Sequence, residues 1–164
     1  MVSDDVSVLR LVWHPSQYQD GKILPAAFER SDLIARDERY LSVDDLGLLS
    51  RESVDWRIAW QQRDGRDEKL GRADALFAQF SARRLRDCLY RDNSPLFNVT
   101  REPTLKEEDG PGSPANPAHC GVRTIEPGRF QELGKGAQNI AVERMRTELV
   151  KAIDGIHQYE DVFR

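Results

Sequence analysis

The sequence predicts an α+β fold, with a small mixed or antiparallel sheet packed against two or three helices in a single domain. Three observations predict it. The 164 residues suit one hydrophobic core. A composition of 39% apolar and 32% charged residues gives a globular balance rich in charge. The apolar patterning then runs strand, strand, helices, strand, strand, helix, without the regular alternation of a doubly wound sheet. No internal repeat or domain break divides residues 1–164.

The first element is a strand over Val6-Ser-Val-Leu-Arg-Leu-Val-Trp13, apolar on both faces and therefore expected inside the sheet. Alternation places Val6, Val8, Arg10, Val12 and His14 on one face, with Leu9, Leu11 and Trp13 on the other. Pro15 ends it, and Asp20-Gly21 reads as a turn. Pro25-Ala-Ala-Phe28 fits either a helical turn or an extended link. Arg39-Tyr-Leu-Ser-Val43 reads as a second strand closed by Asp44-Asp45.

Ser50 is expected to cap a helix, its hydroxyl accepting from first-turn N–H groups, with Glu52 near the positive dipole end. Val54 and Ile58 share one face of that helix, Trp56 and Trp60 another. A longer helix is expected from about Glu68 to Tyr90, on the spacing of Leu70, Ala73, Phe77 and Leu85. Residues 50–90 thus read as a helical insertion. Leu96–Thr100 is a short strand. Residues 102–117 form a flexible Pro/Gly loop with the acidic run Glu107-Glu-Asp109. His119–Ile125 is the next strand. A last helix spans about Ala137 to Ile153, on the repeat of Ala141, Met145 and Leu149.

Charge and cysteine content narrow the function classes. The net charge of -4 divides into -4 over residues 1–48, +3 over 49–101 and -3 over 102–164. An Arg-rich middle between acidic flanks fits ion pairing within the chain, and a pI near 5.5 argues against a dedicated nucleic-acid binder. No apolar run approaches the ~20 residues of a membrane span. The opening Met1-Val-Ser-Asp-Asp-Val lacks secretory features, so a cytoplasmic protein with no membrane partner is expected. Cys88 and Cys120 alone make no disulfide framework, and both are expected reduced.

The segment Pro114-Ala-Asn-Pro-Ala-His119-Cys120 carries the most chemical information. An Asn116-Pro117 turn delivers His119 and Cys120 to the start of a strand, a common place for functional groups. Neighbours on a strand face opposite ways, so His119 is a poor base for Cys120, which is expected to be a small core residue. The scattered His14, His119, Cys120 and His157 lack metal-ligand spacing, so no metal is expected. No cofactor is expected either.

Arg10 or His14 on the first strand, with Tyr40 and Ser42 on the second, resembles the arrangement of the ADP-ribosyltransferase family. That resemblance implies a basic group and a Ser or Tyr holding ribose and phosphates. It also implies a late Glu, for which Glu102, Glu126 and Glu132 are all available. Ala27-Phe28, Leu41-Ser-Val43 and Asn116-Pro-Ala-His119, in this order, are similar to a family of small uncharacterised bacterial proteins. That likeness implies a compact bacterial domain and no particular activity.

Two functions follow as expectations. The first is a non-catalytic bacterial accessory protein that binds a protein partner through Trp56 and Trp60, residues of the type that dominates interface hot spots. The second is an enzyme acting on a nucleotide or nucleic-acid substrate. Its catalytic candidates are His14, His119 and Ser42, with Arg10 and Tyr40 holding phosphate or ribose; it requires His14, Ser42 and His119 to converge in one cleft.

Overall fold

The computed structural model describes residues 1–13, 16–34, 39–63 and 70–164. Eight strands and six helices lie in these residues: β1 (Ser7–Trp13), β2 (Tyr18–Gln19), β3 (Lys22–Ile23), α1 (Arg30–Leu33), β4 (Leu41–Asp45), α2 (Arg51–Arg63), β5 (Ala75–Ser81), α3 (Ala82–Arg86), β6 (Phe97–Arg101), β7 (His119–Thr124), α4 (Gly128–Gln131), α5 (Lys135–Lys151), β8 (Gly155–Gln158) and α6 (Tyr159–Val162). Six strands form one antiparallel sheet in the order β6-β7-β4-β1-β5-β8. The fold is α+β.

β2 and β3 pair separately through the Asp20-Gly21 turn. Both turn residues have positive φ, 51° and 78°, as a two-residue hairpin matched to strand twist requires. Pro25–Ala27 is a short 3-10 turn, which decides between the two readings of that stretch.

Strand β1 lies inside the sheet, as its two apolar faces require. Val8 and Val12 look toward α5, where Ala141, Val142, Met145 and Leu149 complete the larger core cluster. Leu9 and Trp13 look the other way and pack with Val54 and Ile58 of α2, Phe77 of β5 and Tyr159 of α6. The sheet is thus covered on both sides. Ser50 caps α2 as expected, its Oγ accepting from the Ser53 N–H at 3.2 Å.

One expected element is wrong. The helix from Glu68 to Tyr90 does not form over Ala75–Ser81, which is instead strand β5, paired with β1 along seven residues and with β8 beyond it. Residues 50–90 are therefore not a helical insertion: only α2 and the short α3 are α-helical among the described residues there, and β5 lies within the sheet. Burial explains the misreading. Ala75, Leu76, Phe77 and Ala78 are all buried, so the strand shows no polar alternation. β8 and α6 are also additions to the sequence reading. Asp44-Asp45, read as the end of a strand, belongs to β4 itself.

The Arg-rich middle of the chain is tied to its acidic flanks: Arg57 pairs with Asp44, Arg84 with Asp154, Arg86 with Asp4 and Arg101 with Asp45. No described helix is long and apolar enough to cross a membrane.

Candidate functional site

β4 and β7 are paired with Asp44 opposite His119, Val43 opposite Cys120 and Ser42 opposite Gly121. This register puts Ser42, Asp44 and His119 on the α2 side of the sheet. Cys120 goes to the opposite, core side, where it is buried with its Sγ 3.3 Å from the Ala118 carbonyl. Burial pushes its thiol pKa up. Cys120 is a core residue, and Cys88 is likewise buried and free.

His119 sits between two groups. Its Nδ1 lies 3.7 Å from Asp44 Oδ1, an ion-pair distance rather than a hydrogen bond. Its Nε2 lies 3.3 Å from the Tyr40 hydroxyl. The neutral tautomer that suits both carries its proton on Nδ1, facing the carboxylate, and leaves Nε2 to accept from the phenol. Burial, followed by the Glu102 charge, pushes the Tyr40 pKa up, so the phenol is a donor at neutral pH.

Asp44 is 2% exposed, yet it is ionised. Burial alone would raise its pKa; the Arg57 charge and the polar contacts of His119 and Asn116 outweigh that and hold it at about 2. Arg57 Nη2 donates to Oδ2 at 2.7 Å and Asn116 Nδ2 to Oδ1 at 2.9 Å. Asn116 also accepts from the Ala118 N–H at 3.2 Å. The Asn116-Pro117 turn is therefore a clamp that fixes the start of β7 against Asp44. Tyr40 is positioned from two sides. Its ring lies over Gly121, and the Arg123 guanidinium stands 4.5 Å from the ring centroid.

These groups open on a cleft of about 530 Å³ whose walls include Tyr40, Ser42, Trp56, Arg57, His119 and Asp32. Burial raises the Asp32 pKa. Trp56 and Trp60 stack at 5.1 Å with planes 17° apart. The loop after β6 covers them: a Cβ on Gly110 would stand 3.2 Å from the Trp60 ring and 3.4 Å from Trp56. That loop is closed by reciprocal backbone bonds between Thr104 and Asn116.

A second lobe of about 390 Å³ adjoins the first through the shared residues Ser42 and Arg57. Arg10 lines it. Its guanidinium donates to the Ser42 carbonyl at 2.9 Å and the Ala27 carbonyl at 3.0 Å.

The expected site residues thus fall into three groups. His119, Tyr40, Ser42 and Trp56 meet in one cleft, with Arg10 in the adjoining lobe and Trp60 stacked behind Trp56. His14 lies outside the described residues. His157 stands apart, on the far edge strand β8, with its Nε2 2.6 Å from Gln79 Oε1. Of the glutamates available to the ADP-ribosyltransferase resemblance, none lines the cleft among the described residues. Glu102 is engaged with Arg123 at 2.7 Å and with Thr100.

The sequence reading missed Asp44, Arg57, Asn116 and Asp32. A signal for Asp44 existed: it lies two residues beyond Ser42, hence on the same strand face. Among the described residues no group of three or more His, Cys, Asp or Glu is arranged to hold a metal ion. Comparison with family models, curated proteins and solved structures gives no match.

Proposed function

We propose that this chain is an enzyme acting on a small nucleotide substrate, with His119 as its acid–base group. The observation that carries this reading is the line Asp44–His119–Tyr40, which ends at the wall of a cleft large enough for a mononucleotide. A buried, ionised carboxylate behind an imidazole orients the ring and stabilises the imidazolium that forms when the ring takes a proton. A substrate hydroxyl beside Tyr40 would pass its proton to the phenol oxygen as the phenolic proton moves to His119 Nε2. The substrate is left as the nucleophilic alkoxide, and Asp44 balances the new charge. Trp56 offers a stacking face for a base, an interaction that tolerates different bases.

The alternative, an accessory protein that grips a partner through Trp56 and Trp60, has less support. Both rings are partly buried, stacked on each other and covered by the chain's own loop at Gly110.

The deciding experiment measures AMP, NAD and adenosine binding by calorimetry, and their consumption by chromatography. The wild type, Trp56→Ala and His119→Gln are compared. Nucleotide binding is expected in the wild type, weakened at least tenfold in Trp56→Ala. In His119→Gln binding persists and turnover is lost. Absence of any nucleotide binding, with a protein partner co-purifying in a Trp56-dependent way, overturns the enzyme reading in favour of the accessory one.

A further inference from the structure

We propose that the lobe around Arg10 is an oxyanion site that receives the phosphate group of the substrate. The inference rests on the proposed function for the substrate's identity, but the site is tested independently with inorganic phosphate.

β1 and β4 pair only at Val8–Asp45 and Leu9–Asp44, while β1 continues along β5 to Trp13. Beyond Leu9 the two strands part, and the Arg10 side chain occupies the gap, taking the Ser42 carbonyl that a neighbouring strand would otherwise satisfy. The guanidinium has five N–H donors. Two meet the neutral carbonyls of Ser42 and Ala27, and Nε is buried without an acceptor among the described residues. No described carboxylate is at ion-pair distance from Arg10. A desolvated cation whose direct partners are carbonyl dipoles lacks a counter-charge in contact with it, and burial lowers its pKa.

The surroundings favour an anion of defined shape. Ser16, Gln17, Gln61 and Arg57 line the lobe with Arg10. Gln17 Oε1 accepts from the Trp13 N–H at 3.0 Å, which leaves the NH₂ end of that amide as the available donor. Arg57 is already neutralised by Asp44 at 2.7 Å, so the unmatched charge is that of Arg10. Asp32, in the neighbouring cleft, Glu29, in this lobe, and Asp44 are the carboxylates that act on Arg10 from a distance. Burial raises the Asp32 pKa. A planar guanidinium fork with spare N–H groups matches the oxygens of phosphate.

The location also orients the substrate. Ser42 and Arg57 are common to both lobes, whereas His119, Tyr40 and Trp56 belong to the first. A nucleotide with its phosphate at Arg10 and its base at Trp56 presents sugar atoms to Tyr40 and His119. The proton transfer then occurs at the sugar end, not at the phosphoryl group.

The test is calorimetric titration of the full chain with inorganic phosphate, AMP and adenosine. Replacing Arg10 would also remove its two carbonyl bonds, so charge is altered nearby instead. Gln61→Glu places a carboxylate in the lobe and is expected to weaken phosphate binding at least tenfold. Asp32→Asn removes an opposing charge and is expected to tighten it. His119→Gln is expected to leave it unchanged. AMP should bind more tightly than adenosine in the wild type, and this preference should vanish in Gln61→Glu. Phosphate that does not bind, or binds equally to the wild type and Gln61→Glu, overturns the oxyanion site while leaving base binding at Trp56 intact. Phosphate binding without nucleotide binding or turnover overturns the proposed function while leaving the oxyanion site intact.

Discussion

Asp44 holds the site together residue by residue. It is the shared acceptor of Arg57 and Asn116 and the charge behind His119. Its pKa lies at about 2, against an ordinary 3.8. A carboxylate with a depressed folded-state pKa adds stability above its unfolded pKa, and that stability fades as pH falls through the folded value. Asp44→Asn should therefore lose about 2–3 kcal/mol at neutral pH, because Arg57 is left without its partner. The deficit should shrink between pH 4 and pH 2, where the wild-type carboxylate itself becomes protonated. Urea unfolding at pH 7 and pH 3 measures both; an equal deficit at the two values contradicts the assignment. Gly121→Ala acts on the other partner of His119, Tyr40. A Cβ there would stand 2.7 Å from the Tyr40 ring, so the ring must shift from the position in which it meets His119. The expected result is a large loss of turnover with the fold retained, visible as a shifted His119 imidazole resonance by NMR. An unchanged resonance counts against the Tyr40–His119 contact.

Among the elements, β1 was legible because Val8-Leu-Arg-Leu-Val12 is apolar on both faces, which only an interior strand tolerates. α5 was legible because Ala141, Met145 and Leu149 recur at helical spacing. β5 was not, because Ala75-Leu-Phe-Ala78 is buried on both sides and a short apolar run carries no period. The site follows the same logic. Tyr40, Ser42 and His119 could be named from their places on strands and at a strand entrance, but their meeting depends on the β4–β7 register, which the sequence does not state. Arg57 was hidden because α2 was read by its apolar and aromatic faces alone. The loop after β6 is also more than a connection. Gly110 has φ of 142° and touches the Trp60 ring, so a side chain there is opposed by both backbone and space. Gly110→Ala should cost about 1–3 kcal/mol and shift the tryptophan emission as the stacked pair is disturbed. Unaltered emission and stability indicate that the loop does not cover the pair.

For the molecule as a whole, the sheet separates two packing jobs. The side facing α5 carries the larger cluster and none of the groups proposed for proton transfer. The side facing α2 carries Asp44, His119 and Tyr40, and α2 itself brings Trp56 and Arg57 over them. Stability and site geometry should therefore respond differently to equivalent damage. Leu149 of α5 is 0% exposed and Ile58 of α2 is 6% exposed. Truncating either to alanine is expected to cost about 2–5 kcal/mol, since both leave a cavity in a packed cluster. Leu149→Ala should lower the unfolding temperature while leaving AMP affinity near the wild-type value in the folded protein. Ile58→Ala should weaken AMP binding as well, because α2 settles toward the cavity and carries Trp56 and Arg57 with it. Thermal unfolding and calorimetry below the transition separate the two effects. Equal losses of affinity in both variants would mean that the sheet transmits packing changes across its thickness, and that the α2 face is not an independently supported site.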